Sequence, residues 1–126
     1  MPDPTILIVD DADATRSGLA DLLRLKGYQA LEAACAEDAL AVLSEHPETR
    51  LVILDLQMPG AGGLWFREQQ ILNRKIAHVP VAVFTGGALP SEAFGFCARL
   101  QKPFSVDELL HLIQVQCDDG NTRISA

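Results

Sequence analysis

The chain has 126 residues, enough for one domain with a hydrophobic core, and its 48% apolar and 21% charged residues are typical of globular proteins. Its net charge of −7 gives no basic excess to neutralise a polyanion, so we expect no direct binding to nucleic acid or to an anionic membrane. No apolar stretch approaches the roughly 20 residues of a membrane helix, and the N-terminus lacks the pattern of a signal peptide, so we predict a cytoplasmic protein.

Five short apolar runs, each bounded by turn residues, predict five strands. In chain order the predicted strands are residues 5–9, 29–34, 51–55, 79–84 and 97–101. In the third run, four consecutive apolar residues lead into Asp55 before Met58-Pro59-Gly60 ends the segment. Such a run is typical of a central strand that is covered on both faces of a parallel sheet.

Between the strands the apolar spacing changes to the helical period. The predicted helices begin at residues 13, 36, 64, 90 and 106. Asp13 is the predicted N-cap of the first helix, and residues 90–94 are long enough for about one helical turn. Ser105 and Glu108 form a capping box of the S-x-x-E type, which makes the last helix the most clearly marked one.

Strands that alternate with helical crossovers predict an α/β fold: a doubly wound five-stranded parallel sheet in the flavodoxin-like order 2-1-3-4-5, with a shortened fourth helix. We predict a single domain at residues 1–126, with a core at about 5–117 and a polar tail at 118–126. The carboxyl ends of parallel strands meet at one edge of the sheet, where ligands bind. The polar residues that this order brings to that edge are Asp10, Asp11, Asp55, Thr85 and Lys102.

Carboxylates gathered at one edge repel one another, and a divalent cation removes that repulsion. Oxygen ligands with positions left for water and a phosphoryl group favour Mg²⁺. Asp55 is then a candidate nucleophile that attacks phosphorus and becomes an acyl phosphate. Lys102 and Thr85 carry the ammonium and the hydroxyl needed to neutralise charge on the phosphoryl oxygens.

Four short motifs lie at the ends of the predicted elements: V-D-D at the end of the first strand, L-D-L-x-M-P-G-x-x-G around Asp55, T-G after the fourth strand and K-P-F before the last helix. These motifs resemble those of a known family, the receiver domains of two-component response regulators, of the chemotaxis-regulator type. They occur in the family's order on the expected elements, and the resemblance covers residues 5–117, essentially the whole chain.

The resemblance implies a phosphoacceptor that switches partner binding and is not an enzyme in the usual sense. Asp55 would take phosphate from a phosphohistidine on a sensor histidine kinase or a histidine phosphotransfer protein. Asp11, Asp55 and the main-chain carbonyl of Gln57 would ligate Mg²⁺, and Asp10 would orient the ion through water. Lys102 and Thr85 would contact the phosphoryl oxygens, and the Lys102-Pro103 peptide would be cis.

Two features depart from the family's pattern and affect output more than chemistry. Arg99 stands three positions before the lysine, where family members usually carry Tyr or Phe, so an aromatic rotamer change cannot report phosphorylation. The stretch from Thr85 to Lys102 is also shorter than usual, which predicts the truncated fourth helix and leaves the downstream protein target open.

Two rival functions are left open by the sequence. Asp11-x-Asp13-x-Thr15 weakly resembles the D-x-D-x-T nucleophile motif of phosphatases of the haloacid dehalogenase type. Alternatively, the chain is a receiver-like interaction module that is never phosphorylated. The complete set of polar edge residues opposes this alternative, while Arg99 and the short fourth helix leave it open.

Overall fold

A computed structural model shows a five-stranded parallel sheet flanked by helices, and it describes residues 3–60, 62–87 and 95–125, with the backbone alone for 118–125. The strands are β1 (Thr5–Val9), β2 (Gln29–Ala33), β3 (Leu51–Asp55), β4 (Val81–Thr85) and β5 (Ala98–Gln101). The helices in the described ranges are α1 (Asp13–Leu25), α2 (Ala36–Glu45), α3 (Gly62–Leu72) and α4 (Val106–Ser125).

The strand order is β2-β1-β3-β4-β5, which confirms the doubly wound fold predicted from the sequence. Every residue of β1, β3 and β4 is buried, as the apolar runs of these strands require. All neighbouring strands are parallel, with Val9 beside Leu54 and Asp55 beside Phe84. The carboxyl ends of β1, β3 and β4 therefore lie together at one edge of the sheet.

Alternating side chains of the central strands pack into two cores, one on each face of the sheet. Leu7 and Val9 of β1 belong to the core that also contains buried residues of α2 and α3. Ile6 and Ile8 point the opposite way, into the core shared with α1 and α4. Among the described residues, no helix is both long enough and apolar enough to cross a membrane.

The two predicted helix caps had different outcomes. The capping box is confirmed, since the Glu108 amide donates to Ser105 Oγ at 3.1 Å and the Ser105 amide donates to Glu108 Oε1 at 3.2 Å. The prediction of Asp13 as the N-cap of α1 is wrong, because Ala12 occupies that position without a side-chain cap bond. Asp13 is the first helical residue, and its carboxylate accepts a hydrogen bond from Arg16 Nη2 at 2.8 Å.

The bounds of β4 and α4 differ from the predicted ones. β4 begins after Pro80, whose carbonyl accepts a hydrogen bond from the Val52 amide at 3.0 Å, so the proline lies just outside the strand. The backbone of α4 continues to Ser125 and includes most of the predicted polar tail. The helical turn predicted at residues 90–94 lies outside the described residues.

A buried glutamine fixes α3 against the segment that leads into β4. The side chain of Gln70 is fully buried, and its Nε2 donates to the carbonyls of Ile76 at 3.0 Å and Val79 at 2.8 Å. Its Oε1 accepts a hydrogen bond from Arg67 Nη1 at 2.7 Å. Buried polar groups that lose their partners keep their desolvation cost, so this glutamine holds the α3–β4 connection in place.

Replacing this side chain with an apolar one of similar size tests that role. We expect Gln70→Leu to lower the free energy of unfolding by about 2 to 3 kcal/mol, because two carbonyls lose their donor. Chemical denaturation measures the change, with Glu68→Leu at an exposed position of the same helix as the control. Equal losses in the two variants would contradict the assignment.

Candidate functional site

Three carboxylates converge where β1 and β3 end. Asp10 and Asp11 directly follow β1, and Asp55 is the last residue of β3. Val9 lies beside Leu54 in the sheet. Asp10 and Asp55, which follow these two residues in the chain, therefore lie at the same edge. One carboxylate oxygen from each of the three aspartates lies within 4.8 Å of the others. The edge predicted from the sequence thus brings all three acids together.

Asp10 has the least satisfied side chain of the cluster. It is 1% exposed, its Oδ1 accepts a hydrogen bond from the Ala12 amide at 2.9 Å, and its Oδ2 is buried without a hydrogen-bond partner among the described residues. Burial raises the pKa of Asp10, and the nearby carboxylates of Asp55 and Asp11 raise it further, against the lowering effects of the Ala12 amide and of Lys102. The folded chain therefore resists full ionisation of this acid.

This donor set fits a hard divalent cation. An unpartnered buried carboxylate oxygen beside two further carboxylates matches the all-oxygen ligation that Mg²⁺ takes, and Asp11 is exposed, so water can reach the cluster. The Gln57 amide donates to Asp55 Oδ1 at 2.9 Å, which places the main chain of Gln57 beside the same carboxylate.

Lys102 supplies positive charge next to Asp55. Its Nζ lies 3.4 Å from Asp55 Oδ2 and 4.7 Å from the centroid of the Phe84 ring, a cation–π arrangement. The ring of Phe84 contacts Phe104 edge to face, with centroids 5.8 Å apart. The Lys102-Pro103 peptide bond is cis, as the resemblance implied.

Thr85 ends β4 and begins the loop beside this ammonium. The residue is buried, and its carbonyl accepts a hydrogen bond from the Lys102 amide at 2.8 Å, so the backbones of the two predicted phosphoryl contacts are tied together. Its hydroxyl oxygen accepts a hydrogen bond from the Gly87 amide at 3.0 Å, which orders the start of the loop. The chain therefore places Thr85 and Lys102 on adjacent strands beside Asp55.

Glycines allow the chain to turn tightly after Asp55. Gly60 and Gly62 have φ values of +75° and +77°, which side chains rarely adopt. A Cβ atom on Gly63 would lie 2.9 Å from Leu56 Cδ2 and 3.1 Å from the Asp55 carbonyl oxygen. The start of α3 therefore packs directly against the end of β3 and leaves the Asp55 carboxylate facing the edge.

Sequence reasoning missed the residue that holds the β1–α1 connection. Arg16 Nη1 donates to the Asp10 carbonyl at 2.8 Å, and its Nε donates to Glu32 Oε1 at 3.2 Å. Its hydrogen bond to Asp13 is the main reason that the pKa of Arg16 is raised. The spacing of Asp13 and Arg16 at i and i+3 on a predicted helix was the available signal, but the contact to the Asp10 backbone depends on tertiary structure.

The same pairing is evidence against the phosphatase alternative. That reading requires Asp13 to act together with Asp11, whereas Asp13 is exposed in the first turn of α1 and paired with Arg16. Asp13 is not a member of the carboxylate group formed by Asp10, Asp11 and Asp55.

The family model for the response regulator receiver domain matches residues 6–114 of this chain. The chain belongs to the response regulator receiver domain family. Receiver domains act in two-component signalling as phosphoacceptors and are generally not enzymes in the usual sense, and the family binds Mg²⁺ at an acidic pocket.

Relatives of this receiver domain include both longer proteins and proteins of about its own length. It is 31% identical over 114 residues to the probable transcriptional regulator ycf29 of Cyanophora paradoxa, covering 86% of this chain and 54% of that protein. The polar-differentiation response regulator DivK of Brucella ovis is 26% identical, with 92% of this chain and 98% of that protein covered. This chain spans about half the length of ycf29 and about a quarter of the NtrX-like response regulators of Rickettsia that it also matches.

Solved structures support the same assignment. A CheY-like receiver domain protein from Methanospirillum hungatei superimposes with a TM-score of 0.85 at 27% identity, covering 96% of this chain and 98% of that chain. The sheet order β2-β1-β3-β4-β5 matches that of the CheY-like flavodoxin fold, so this receiver has the family's five-stranded parallel sheet.

The buried carboxylate of Asp10 predicts a measurable cost in stability. Its raised pKa means that the folded state binds a proton more tightly than the unfolded state, where the value is near 3.8. Stability therefore decreases as the pH rises from below 3.8 through the higher folded-state pKa of Asp10. We expect Asp10→Asn to raise the free energy of unfolding by about 1 kcal/mol at neutral pH in EDTA, because it removes that charge.

Thermal unfolding across a pH series measures this change. Asp13→Asn is the matched control, because it removes the same charge from an exposed carboxylate that already pairs with Arg16. We expect no gain in that variant, and an equal gain in both would attribute the effect to net charge rather than to the buried cluster.

Proposed function

We propose that this receiver domain accepts a phosphoryl group on Asp55 from a phosphohistidine of a sensor histidine kinase or a histidine phosphotransfer protein. The observation that carries the proposal is the position of Asp55 between two further carboxylates and the Lys102 ammonium, 3.4 Å from its Oδ2. This arrangement places a candidate cation site and a positive side chain next to the same nucleophile.

The transfer step is a displacement at phosphorus. A carboxylate oxygen of Asp55 forms a bond to phosphorus while the phosphorus–nitrogen bond of the phosphohistidine breaks, and the electron pair of that bond leaves with the imidazole. Asp10, Asp11, Asp55 and the carbonyl of Gln57 would hold Mg²⁺, which when bound neutralises charge on the carboxylates and the phosphoryl oxygens.

Lys102 and Thr85 are the proposed contacts to the phosphoryl oxygens. The position of Lys102 is supported from three sides, by Asp55, by the ring of Phe84 and by the backbone bond to Thr85. A charge held in place before reaction requires little reorganisation during it, which is the condition for efficient electrostatic stabilisation. Movement of the Thr85 loop toward the phosphoryl group would shift the protein between two conformational populations.

The output of this switch cannot use an aromatic residue on β5. Arg99, beside Val83 in the sheet, occupies the position where an aromatic side chain was expected from the resemblance. The downstream target is therefore proposed to be a protein that reads the Thr85 loop itself. We propose that the protein acts in the cytoplasm and binds neither nucleic acid nor membrane directly.

Phosphorylation of Asp55 is directly testable. Incubation with acetyl phosphate and Mg²⁺ is expected to add one phosphoryl mass to the chain, and Asp55→Asn is expected to abolish the addition. Intact-mass spectrometry measures it, with Asp21→Asn at an exposed position of α1 as the control that keeps full labelling.

The same assay separates the rival functions. A phosphatase would release phosphate over many turnovers, and an interaction module that is never phosphorylated would gain no mass. Either result would overturn the proposal, as would full labelling of Asp55→Asn.

The role of Lys102 predicts a large kinetic effect. We expect Lys102→Met to slow labelling by acetyl phosphate about 10- to 100-fold, because one preorganised charge is lost from the phosphoryl group. The labelling time course measures the rate, and Lys26→Met, which removes an exposed lysine at the end of α1, serves as the control. Equal rates in the two variants would exclude Lys102 from the site.

A further inference from the structure

The side chain of Gln57 bridges two loops at the edge of the site. Its backbone amide donates to Asp55 Oδ1 at 2.9 Å, while its side-chain Oε1 accepts a hydrogen bond from the Gly86 amide at 3.0 Å. One residue therefore contacts the proposed phosphoacceptor with its main chain and the loop after Thr85 with its carboxamide. The function proposed above assigns a role to the Gln57 carbonyl but none to this side chain.

Two consecutive glycines make room for the carboxamide. A Cβ atom on Gly86 would lie 3.1 Å from Gln57 Oε1, and one on Gly87 would lie 3.1 Å from Gln57 Nε2. Both distances are tighter than ordinary van der Waals contact, so any side chain at either position would push the amide away. Neither glycine has a positive φ, so the close approach of Gln57, and not backbone conformation, is what a Cβ atom would disturb.

Both described amide donors of this loop are engaged within the chain. The Gly86 amide donates to Gln57, and the Gly87 amide donates to the Thr85 hydroxyl oxygen. A phosphoryl group on Asp55 brings anionic oxygens that favour backbone N–H donors, because charge-assisted hydrogen bonds are stronger than neutral ones. Such a group and the Gln57 carboxamide would compete for the same donor.

We propose that the Gln57 side chain is an internal competitor for the Gly86 amide, which it occupies until a phosphoryl group on Asp55 takes the donor and releases the loop. The inference rests on the proposed function, because it needs Asp55 to carry the phosphoryl group. Gln57 is exposed, so its carboxamide can exchange the Gly86 amide for water when it leaves. The contact therefore biases the loop toward the unmodified state by one solvent-exposed hydrogen bond.

A second glutamine contacts the same loop in a different way. Gln101 Nε2 donates to the Gly87 carbonyl at 3.4 Å, so it supports the loop without occupying an amide donor. If any side-chain contact with the loop weakened binding of a phosphoryl group, Gln101 and Gln57 would weaken it equally. The competition proposed here assigns the effect to Gln57 alone.

Binding of beryllium fluoride in saturating Mg²⁺ provides the test, since this anion mimics a phosphoryl group on a carboxylate without covalent transfer from a donor. We expect Gln57→Ala to lower its apparent dissociation constant by about two- to fivefold, the effect of freeing one exposed hydrogen-bond donor. Gly86→Ala keeps the amide but displaces the carboxamide, so we expect a similar gain. The double variant should bind no more tightly than the single variants, because both remove the same contact.

Gln101→Ala is the matched control and should keep the wild-type dissociation constant. In the unliganded protein, the NMR amide resonance of Gly86 should shift in Gln57→Ala and stay in place in Gln101→Ala. Unchanged or weaker binding in Gln57→Ala, additive gains in the double variant, an equal gain in Gln101→Ala or an unmoved Gly86 resonance would each overturn the inference. Failure of the wild-type chain to bind beryllium fluoride would instead count against the proposed function.

Discussion

The mutual repulsion of Asp10, Asp11 and Asp55 is the constraint on which the rest of the site depends. Their carboxylate oxygens lie within 4.8 Å of one another, and two of the three side chains are buried. Burial weakens the solvent screening that reduces repulsion between like charges at a surface. The positions of nearby positive groups therefore decide which of the carboxylates are stabilised. Lys102 faces Asp55, and the guanidinium of Arg16 binds the backbone of Asp10 instead of its carboxylate. Asp10 Oδ2, which has no hydrogen-bond partner in the described ranges, is thus available to a cation.

The sheet explains how such an unfavourable cluster is held together. Adjacent parallel strands β1 and β3 end at the same level, so their covalent continuation places the acids side by side whatever the acids themselves prefer. The two apolar cores, one on each face of the sheet, stabilise the fold and offset the destabilising effect of the carboxylate cluster. Separating the carboxylates would require moving strands that are buried along their full length.

The strands were predictable from short apolar runs. The convergent polar residues were predictable because the carboxyl ends of parallel strands meet at one edge of the sheet. Asp55 could be singled out because it ends a run of buried apolar residues, and Lys102 because it follows the last strand. The contacts of Arg16 with Asp10 and of Lys102 with the Phe84 ring were not predictable, since they join residues whose separation in the chain carries no signal. The N-cap of α1 was predicted at Asp13 because the sequence does not show that Asp10 accepts the Ala12 amide and makes the turn itself.

In the loop after Thr85, the unphosphorylated chain already has its own hydrogen bonds, so this state has a specific loop conformation. Both glycine amides of this loop already have acceptors, so a phosphoryl group gains only the difference between its own hydrogen bonds and those it replaces. That difference is small for any one contact, and a switch of useful amplitude needs several contacts to change together. The Lys102 amide donates to the Thr85 carbonyl, and Gly86 follows Thr85 in the chain, so a change at one of these residues is transmitted to the others. With Arg99 on β5 instead of an aromatic side chain, the proposed switch would carry its signal outward through this hydrogen-bonded loop.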